Sequence, residues 1–213
     1  SRCQLVWLSW LPLTRACSFL VASFDISDAQ LNASNYYNQR RGPDVTNIVR
    51  AKGWTFVHNL LSITGPPTLQ PFVDEASSSF AVFNGEIYNY RELAAELTGS
   101  QGAYSSDGKA ILPAYARWGS AFARRLHGEW SIVVVDLKQR IVTLSTDAFG
   151  TKPLWRASWR HTDGVDRFAA ASAKSALIGL GAPLHAIEYA AFNEITILKL
   201  PSFDVATRHT LVE

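Results

Sequence analysis

Short apolar runs alternate with polar breaks along most of the chain, and the period of the apolar positions changes from run to run. Residues 17–26 (Cys-Ser-Phe-Leu-Val-Ala-Ser-Phe-Asp-Ile) read as a buried strand. Ser27 or Asp28 then caps a helix running to Gln39, and Gly42-Pro43 stops it. A second strand is predicted over 54–63, ended by Gly65-Pro66-Pro67, with loop over 71–79. The aromatic run Phe80-Ala81-Val82-Phe83 predicts a central buried strand, Asn84-Gly85 a tight turn after it, and Asn89 with Glu92 a capping box opening a helix whose apolar face is Leu93, Ala94 and Leu97. After a polar loop, 107–118 predicts a helix in which Pro113 marks a kink or a later start, and 122–126 a short helix stopped near Gly128. The cleanest hairpin signal joins 130–137 to 141–146 around Lys138-Gln139-Arg140. Strands over 153–159 and 168–171, a short helix over 174–180 ended by Gly181, and a final strand over 195–200 with 207–211 as its partner complete the reading.

Strands and helices in mixed, mostly hairpin-linked order argue for layered α+β rather than a doubly wound parallel sheet. The length of 213 residues suits one sizeable core with a short appendage, and 47% hydrophobic with 18% charged residues describes an ordinary, rather apolar globular chain. A net charge of +2 gives no electrostatic case for nucleic acid. The five histidines do not cluster at metal-ligand spacings, and two cysteines, Cys3 and Cys17, cannot build a zinc site. No cofactor or metal is therefore expected. Two thiols suit a reducing compartment, inside a cell or an organelle, better than a disulfide scaffold. The chain has no methionine, as a processed or truncated chain would.

Residues 1–16 stand apart as an apolar extension before a domain over 17–213. Leu5 to Leu13, with Trp7, Trp10 and Leu11, is a mostly apolar run between Arg2 and Arg15, too short to span a bilayer, which needs about 20 residues. Three roles suit it: a residual targeting segment or propeptide, an arm docked on a partner or membrane surface, or an extra strand on the domain.

Six segments then occur in one order. Cys17-Ser18-Phe19, Arg41-Gly42-Pro43-Asp44, His58-Asn59-Leu60-Leu61-Ser62-Ile63, Asn84-Gly85-Glu86-Ile87-Tyr88-Asn89 with Ser106-Asp107, and Asp147-Ala148-Phe149-Gly150-Thr151-Lys152-Pro153-Leu154 resemble, in sequence, the motifs of the class II glutamine amidotransferase domain. The resemblance covers about residues 17–180 and is closest to the glutaminase domain of asparagine synthetase. It implies the four-layer α-β-β-α sandwich of N-terminal-nucleophile hydrolases, with two mainly antiparallel sheets.

It also implies a chemistry. In that family an N-terminal Cys thiolate attacks the glutamine carboxamide, its own free α-amine serving as base. Cys17 matches that nucleophile but has sixteen residues before it, and an amide nitrogen is not a base; without cleavage after Ala16 its bland role, a small buried hydrophobe, is the stronger one. Asn84 and the Gly85 N–H match the oxyanion hole, although the pair also makes a structural turn. Asp107 matches the acid that holds the substrate ammonium, or else simply favours a helix N-terminus; Ile63 and Glu86 match further substrate positions. Leu60 stands where the family has the Arg that grips the glutamine carboxylate. Lys109, Thr146 and Ala173 depart from the family's usual Glu, Arg and Glu. Nothing after residue 180 has the length or Gly-rich loop of an ATP-using synthetase, so any ammonia acceptor is expected on another chain.

The expectation is thus a degenerate amidotransferase-like domain, inactive and serving as a structural or accessory subunit, with other protein subunits as partners, no nucleic acid, and membrane contact only through a partner. The alternatives are a glutaminase matured by cleavage before Cys17 that feeds a separate synthetase, and a domain that binds a glutamine-like ligand without turnover.

Overall fold

The computed structural model describes residues 16–63, 67–190, 194–199 and 205–210, the last of these as backbone only. The apolar stretch around Trp7 and Trp10 lies outside the described residues, as do the Gly65-Pro66 stop and the expected strand ends Leu200 and Leu211.

In chain order the elements are β1 (Ser18–Ala22), α1 (Asp28–Arg41), β2 (Val45–Ala51), β3 (Trp54–Leu60), β4 (Phe72–Asp74), β5 (Ser79–Ile87), α2 (Tyr90–Thr98), a 3-10 turn (Asp107–Ala110) leading into α3 (Ile111–Trp118), a second 3-10 turn (Gly119–Arg125), β6 (Gly128–Asp136), β7 (Ile141–Thr146), β8 (Trp155–Arg160), β9 (Asp166–Ala171), α4 (Lys174–Gly179), β10 (Ile187–Tyr189), β11 (Glu194–Lys199) and β12 (Val205–Thr210). They form two antiparallel sheets, ordered β10-β8-β9-β1-β3-β2 and β12-β11-β7-β6-β5-β4. The α+β sandwich expected from the sequence is the fold observed.

Strand alternation sorts the core into three apolar layers. Phe19, Val21, Trp54 and Phe56 of the first sheet face Phe80, Val82, Val133 and Val135 of the second. Leu20, Val57 and Ala169 turn outward against Leu31 of α1 and Ala176 and Leu177 of α4. Ala81, Phe83 and Ile132 turn outward against Leu93 of α2 and Ile111 and Tyr115 of α3. Each large side chain fully removed from water contributes about 1.5–3 kcal/mol, and Phe19, Phe56 and Phe168 are among those completely buried.

Several local expectations are corrected. Asn84-Gly85 is not a turn: β5 runs through both, paired to β6 from Ser79↔Asp136 to Ile87↔Gly128. Gly85 is required for another reason. It holds φ +150°, and a Cβ there would lie 2.0 Å from the Glu129 carbonyl oxygen; Gly128, at φ +149°, faces the Glu86 carbonyl oxygen in the same way. The two strands therefore approach each other closely where only glycine fits.

The Asn89–Glu92 capping box does not form, since Asn89 makes no side-chain cap to α2. Its carboxamide instead accepts from the His127 N–H (2.9 Å) and donates to the Arg125 carbonyl (2.8 Å), tying the start of α2 to the entry of β6. A capping box does form one helix earlier, between Ser27 and Gln30 at the start of α1. The helix expected over 107–118 begins as a 3-10 turn and becomes α-helical only at Ile111, which places Pro113 in the first turn of α3, where its missing N–H costs nothing. The first sheet gains β2, the expected loop over 71–79 holds β4, and the strand expected over 54–63 ends at Leu60.

Candidate functional site

At one end of the sandwich the two sheets diverge around a cavity of about 580 Å³. The structure places Cys17, Leu60, Ile63, Asn84, Gly85, Glu86 and Asp107 around it, together with Gln70, Glu129 and Lys152, which the sequence reading did not single out.

Cys17 precedes β1. Its thiol donates to the Leu61 carbonyl (3.6 Å) and accepts from the Leu61 N–H (3.4 Å), which fixes the sulfur at the end of β3. Burial pushes the thiol pKa up, and the nearby carboxylates of Glu86 and Asp107 push it further in the same direction; the Leu61 N–H opposes them. The preceding peptide continues into Ala16, whose N–H donates to the Arg41 carbonyl (3.0 Å). Behind Cys17, Asn59 donates to the Ser18 hydroxyl (3.2 Å) and exchanges two 2.9 Å bonds with Asn35 of α1, so a satisfied polar network holds the cavity floor to the helix layer.

The opposite wall is the edge of β5. Along this edge Ala81 pairs with Phe72 of β4. Phe83 pairs next with the side chain of Gln70, which accepts from the Phe83 N–H (2.7 Å) and donates to its carbonyl (3.1 Å). Ile87 donates its N–H to Asp107 Oδ2 (2.8 Å). Gly85 lies between these two on the same edge. Its cross-strand neighbour Trp130 gives both its backbone groups to Asp147 (3.0 Å each), so by antiparallel alternation the Gly85 N–H points away from β6. It is the open position in an otherwise satisfied edge, and it faces the cavity. The side chain of Asn84, only 2% exposed, projects on the inter-sheet face with Phe80 and Val82, and its Nδ2 has no partner among the described residues. Asn84 and the Gly85 N–H thus lie on the cavity that Cys17 also lines.

The charged side chains of the lining are mostly acidic. Asp107 also accepts from the Gly108 N–H (2.8 Å), but burial still raises its pKa. Glu86 is raised by burial first, then by Asp107 and Glu129. Among the described lining residues Lys152 is the one cation, and it is already paired with Glu129 at 2.7 Å. Leu60, 7% exposed, presents a hydrocarbon surface to the cavity. Arg41 is half-buried near Cys17 but does not line the cavity, and burial lowers its pKa. Gln70 leaves little trace in the sequence because its side chain replaces a strand; the Gln-Pro pair before an apolar residue was the only local mark. Lys152 lay within the Asp147–Leu154 segment without a pattern to set it apart.

A two-sheet sandwich with helices on both outer faces, and a cavity lined by Cys17, Asn84 and Gly85, defines the N-terminal-nucleophile amidotransferase fold. The chain belongs to the family described as "Glutamine amidotransferase domain", whose model matches residues 17–212. It is similar to a Mycobacterium tuberculosis protein provisionally named as a glutamine-hydrolyzing asparagine synthetase (35% identity over 73% of this chain and 25% of that protein). It is also similar to asparagine synthetase 2 of Bacillus subtilis (38% identity over 43% of this chain and 12% of that protein). In structure it matches the glutamine phosphoribosylpyrophosphate amidotransferase of B. subtilis at TM-score 0.68 and 16% identity, over 92% of this chain and 49% of that one, which is a likeness of fold. The chain spans about a quarter or less of the length of these two sequence relatives.

Proposed function

We propose that this is a degenerate, asparagine synthetase-like glutamine amidotransferase domain, one that retains the cavity without turning over free glutamine and serves as a structural or accessory subunit of a larger assembly. One observation carries the reading: Leu60 lines the cavity where the family has an arginine, and Lys152, the one cation among the described lining residues, is held by Glu129. A free glutamine would bring its carboxylate against hydrocarbon, and leaving a buried charge without its partner typically costs about 2–5 kcal/mol. While the Ala16–Cys17 peptide bond is intact, Cys17 also lacks an amine to accept its proton. Support for contacts with other subunits comes from Ile63, Tyr88 and Phe149, which are 78%, 68% and 86% exposed.

The test is incubation of the chain with glutamine, followed by intact mass after treatment with an electrophilic glutamine analogue. The expected result is no glutamate release and no adduct. Turnover by a chain that begins at Cys17, abolished in Cys17→Ala, overturns the proposal. That outcome is the second reading, a glutaminase matured by cleavage before Cys17 and supplying ammonia to a separate synthetase. What favours it is the open Gly85 N–H, which with Asn84 lines the cavity that holds the sulfur.

A further inference from the structure

We propose that the cavity selects glutaminyl groups that keep a free α-amine but carry no α-carboxylate, such as the first residue of a peptide or a glutamine α-amide, over free glutamine. The inference rests on the reading above that position 60 closes the site to free glutamine, and it names what the remaining walls fit. Among the described residues that line the cavity, three are carboxylates, Glu86, Asp107 and Glu129, and one is a cation, Lys152, which is paired with Glu129 at 2.7 Å. The lining is therefore anionic, and a ligand that adds another carboxylate is repelled by Glu86 and Asp107 while gaining nothing from Leu60.

The same walls suit a cation. Asp107 uses one lone pair of each oxygen on the Ile87 and Gly108 N–H groups, which fixes its orientation and leaves acceptor capacity on both oxygens. Glu86 stands beside it on β5, close enough for each carboxylate to feel the other. An α-ammonium placed between them relieves that repulsion. A second, independent feature calls for a carbonyl oxygen: the open Gly85 N–H on the cavity-facing edge of β5, beside the buried carboxamide of Asn84, which also lines the cavity. A primary carboxamide supplies that acceptor. The two features together specify an ammonium at one end and a carboxamide at the other, the layout of a glutaminyl group.

The third substituent decides the selection. A carboxamide or peptide bond at the α-carbon is neutral and tolerates the hydrocarbon of Leu60. A peptide continuing from it leaves past Ile63, which lines the mouth and is 78% exposed. No bond is made or broken in this proposal; it concerns binding alone.

The experiment measures the melting temperature and calorimetric affinity of the full chain with four probes: L-glutamine, L-glutamine α-amide, the dipeptide Gln-Gly, and N-acetylglutamine α-amide. A ligand that binds only the folded state stabilises it by RT ln(1 + [L]/Kd) and so raises the melting temperature. The expected result is binding of the α-amide, with or without the dipeptide, at least about tenfold tighter than glutamine and the N-acetylated probe. Binding of the dipeptide assigns the source to peptide N-termini; binding of the α-amide alone assigns it to small amides. The Leu60→Arg variant is expected to invert the order in favour of free glutamine. Should that variant not fold, Glu86→Gln is expected to weaken α-amide binding several-fold without lowering the unliganded melting temperature. Glutamine binding as tightly as its α-amide, or no probe binding, overturns this inference and leaves the accessory reading standing. Hydrolysis of free glutamine overturns the accessory reading itself.

Discussion

The side-chain amide of Gln70 bonds both backbone groups of Phe83, at 2.7 and 3.1 Å, and so takes the place of one residue of strand on the edge of β5. This is the bond pair next to Asn84 and Gly85, and Gln70 is only 4% exposed. Gln70→Ala strands a buried N–H and a buried carbonyl, each costing about 1–3 kcal/mol. Denaturant unfolding of the variant should show a loss of about 2–5 kcal/mol. Gln70→Glu should lose less at low pH, where the protonated acid can still donate, than at pH 7, where it cannot.

Asn89 is a bridge rather than a cap. Asn89→Ala removes two bonds to the Arg125–His127 backbone and should cost about 2–3 kcal/mol, more than the roughly 1 kcal/mol of an ordinary N-cap. Glu92→Ala, at the position a capping box would need, should change stability by less than about 0.5 kcal/mol. Equal costs at both positions in denaturant unfolding would contradict this account.

His58 is fully buried on the inter-sheet face of β3, and neither ring nitrogen has a partner among the described residues. Burial lowers its pKa from 6.5 to about 4. The unfolded chain therefore takes up the proton first, so this contribution to stability is complete above pH 6.5 and is lost as pH falls toward 4. Its full size is about 3 kcal/mol. Glu86 and Asp107, whose pKa values are raised, act in the opposite direction on acidification. His58→Leu isolates the histidine: the fall in stability between pH 6.5 and 4 should shrink in the variant by about that amount.

The Cys17 thiol is held protonated at neutral pH by burial and by two carboxylates. Iodoacetamide should label it slowly at pH 7, with the rate still rising above pH 9. Glu86→Gln removes one of the raising charges and should speed labelling at pH 8 several-fold. A labelling rate that levels off below pH 8 in the unaltered chain would show an activated thiolate instead.

Much of this was legible in the sequence, for identifiable reasons. The buried stretches 80–83 of β5 and 132–135 of β6 are continuous apolar runs, and Ser27 opening α1 follows from local capping chemistry. The edge strands were not legible: β2 alternates half-buried and exposed positions among Thr, Asn and Arg, β4 is three residues long, and neither produces an apolar run. Asn84-Gly85 was misread because a turn and a close strand approach ask for the same glycine, and only the partner strand distinguishes them. Likewise Asn89 has the spacing of a cap, but its partners lie some 36 and 38 residues away, beyond any local pattern. The grouping of Cys17, Leu60, Asn84 and Asp107 could be anticipated by resemblance, whereas Gln70, Glu129 and Lys152 join them only through sheet register.

The close approach at Gly85 has a consequence for how the site can age. A side chain at this position collides with the β6 backbone, so a lineage with no use for the reaction would still discard such variants, because they misfold. Asn84 and Gln70 sit in the same frame. Position 60 has no such duty: its side chain faces the cavity, and one that fills space there serves the sandwich. Drift is therefore permitted first where the site meets its ligand and last where it meets its own scaffold, so the most recognisable part of the motif is the slowest to record a change of role.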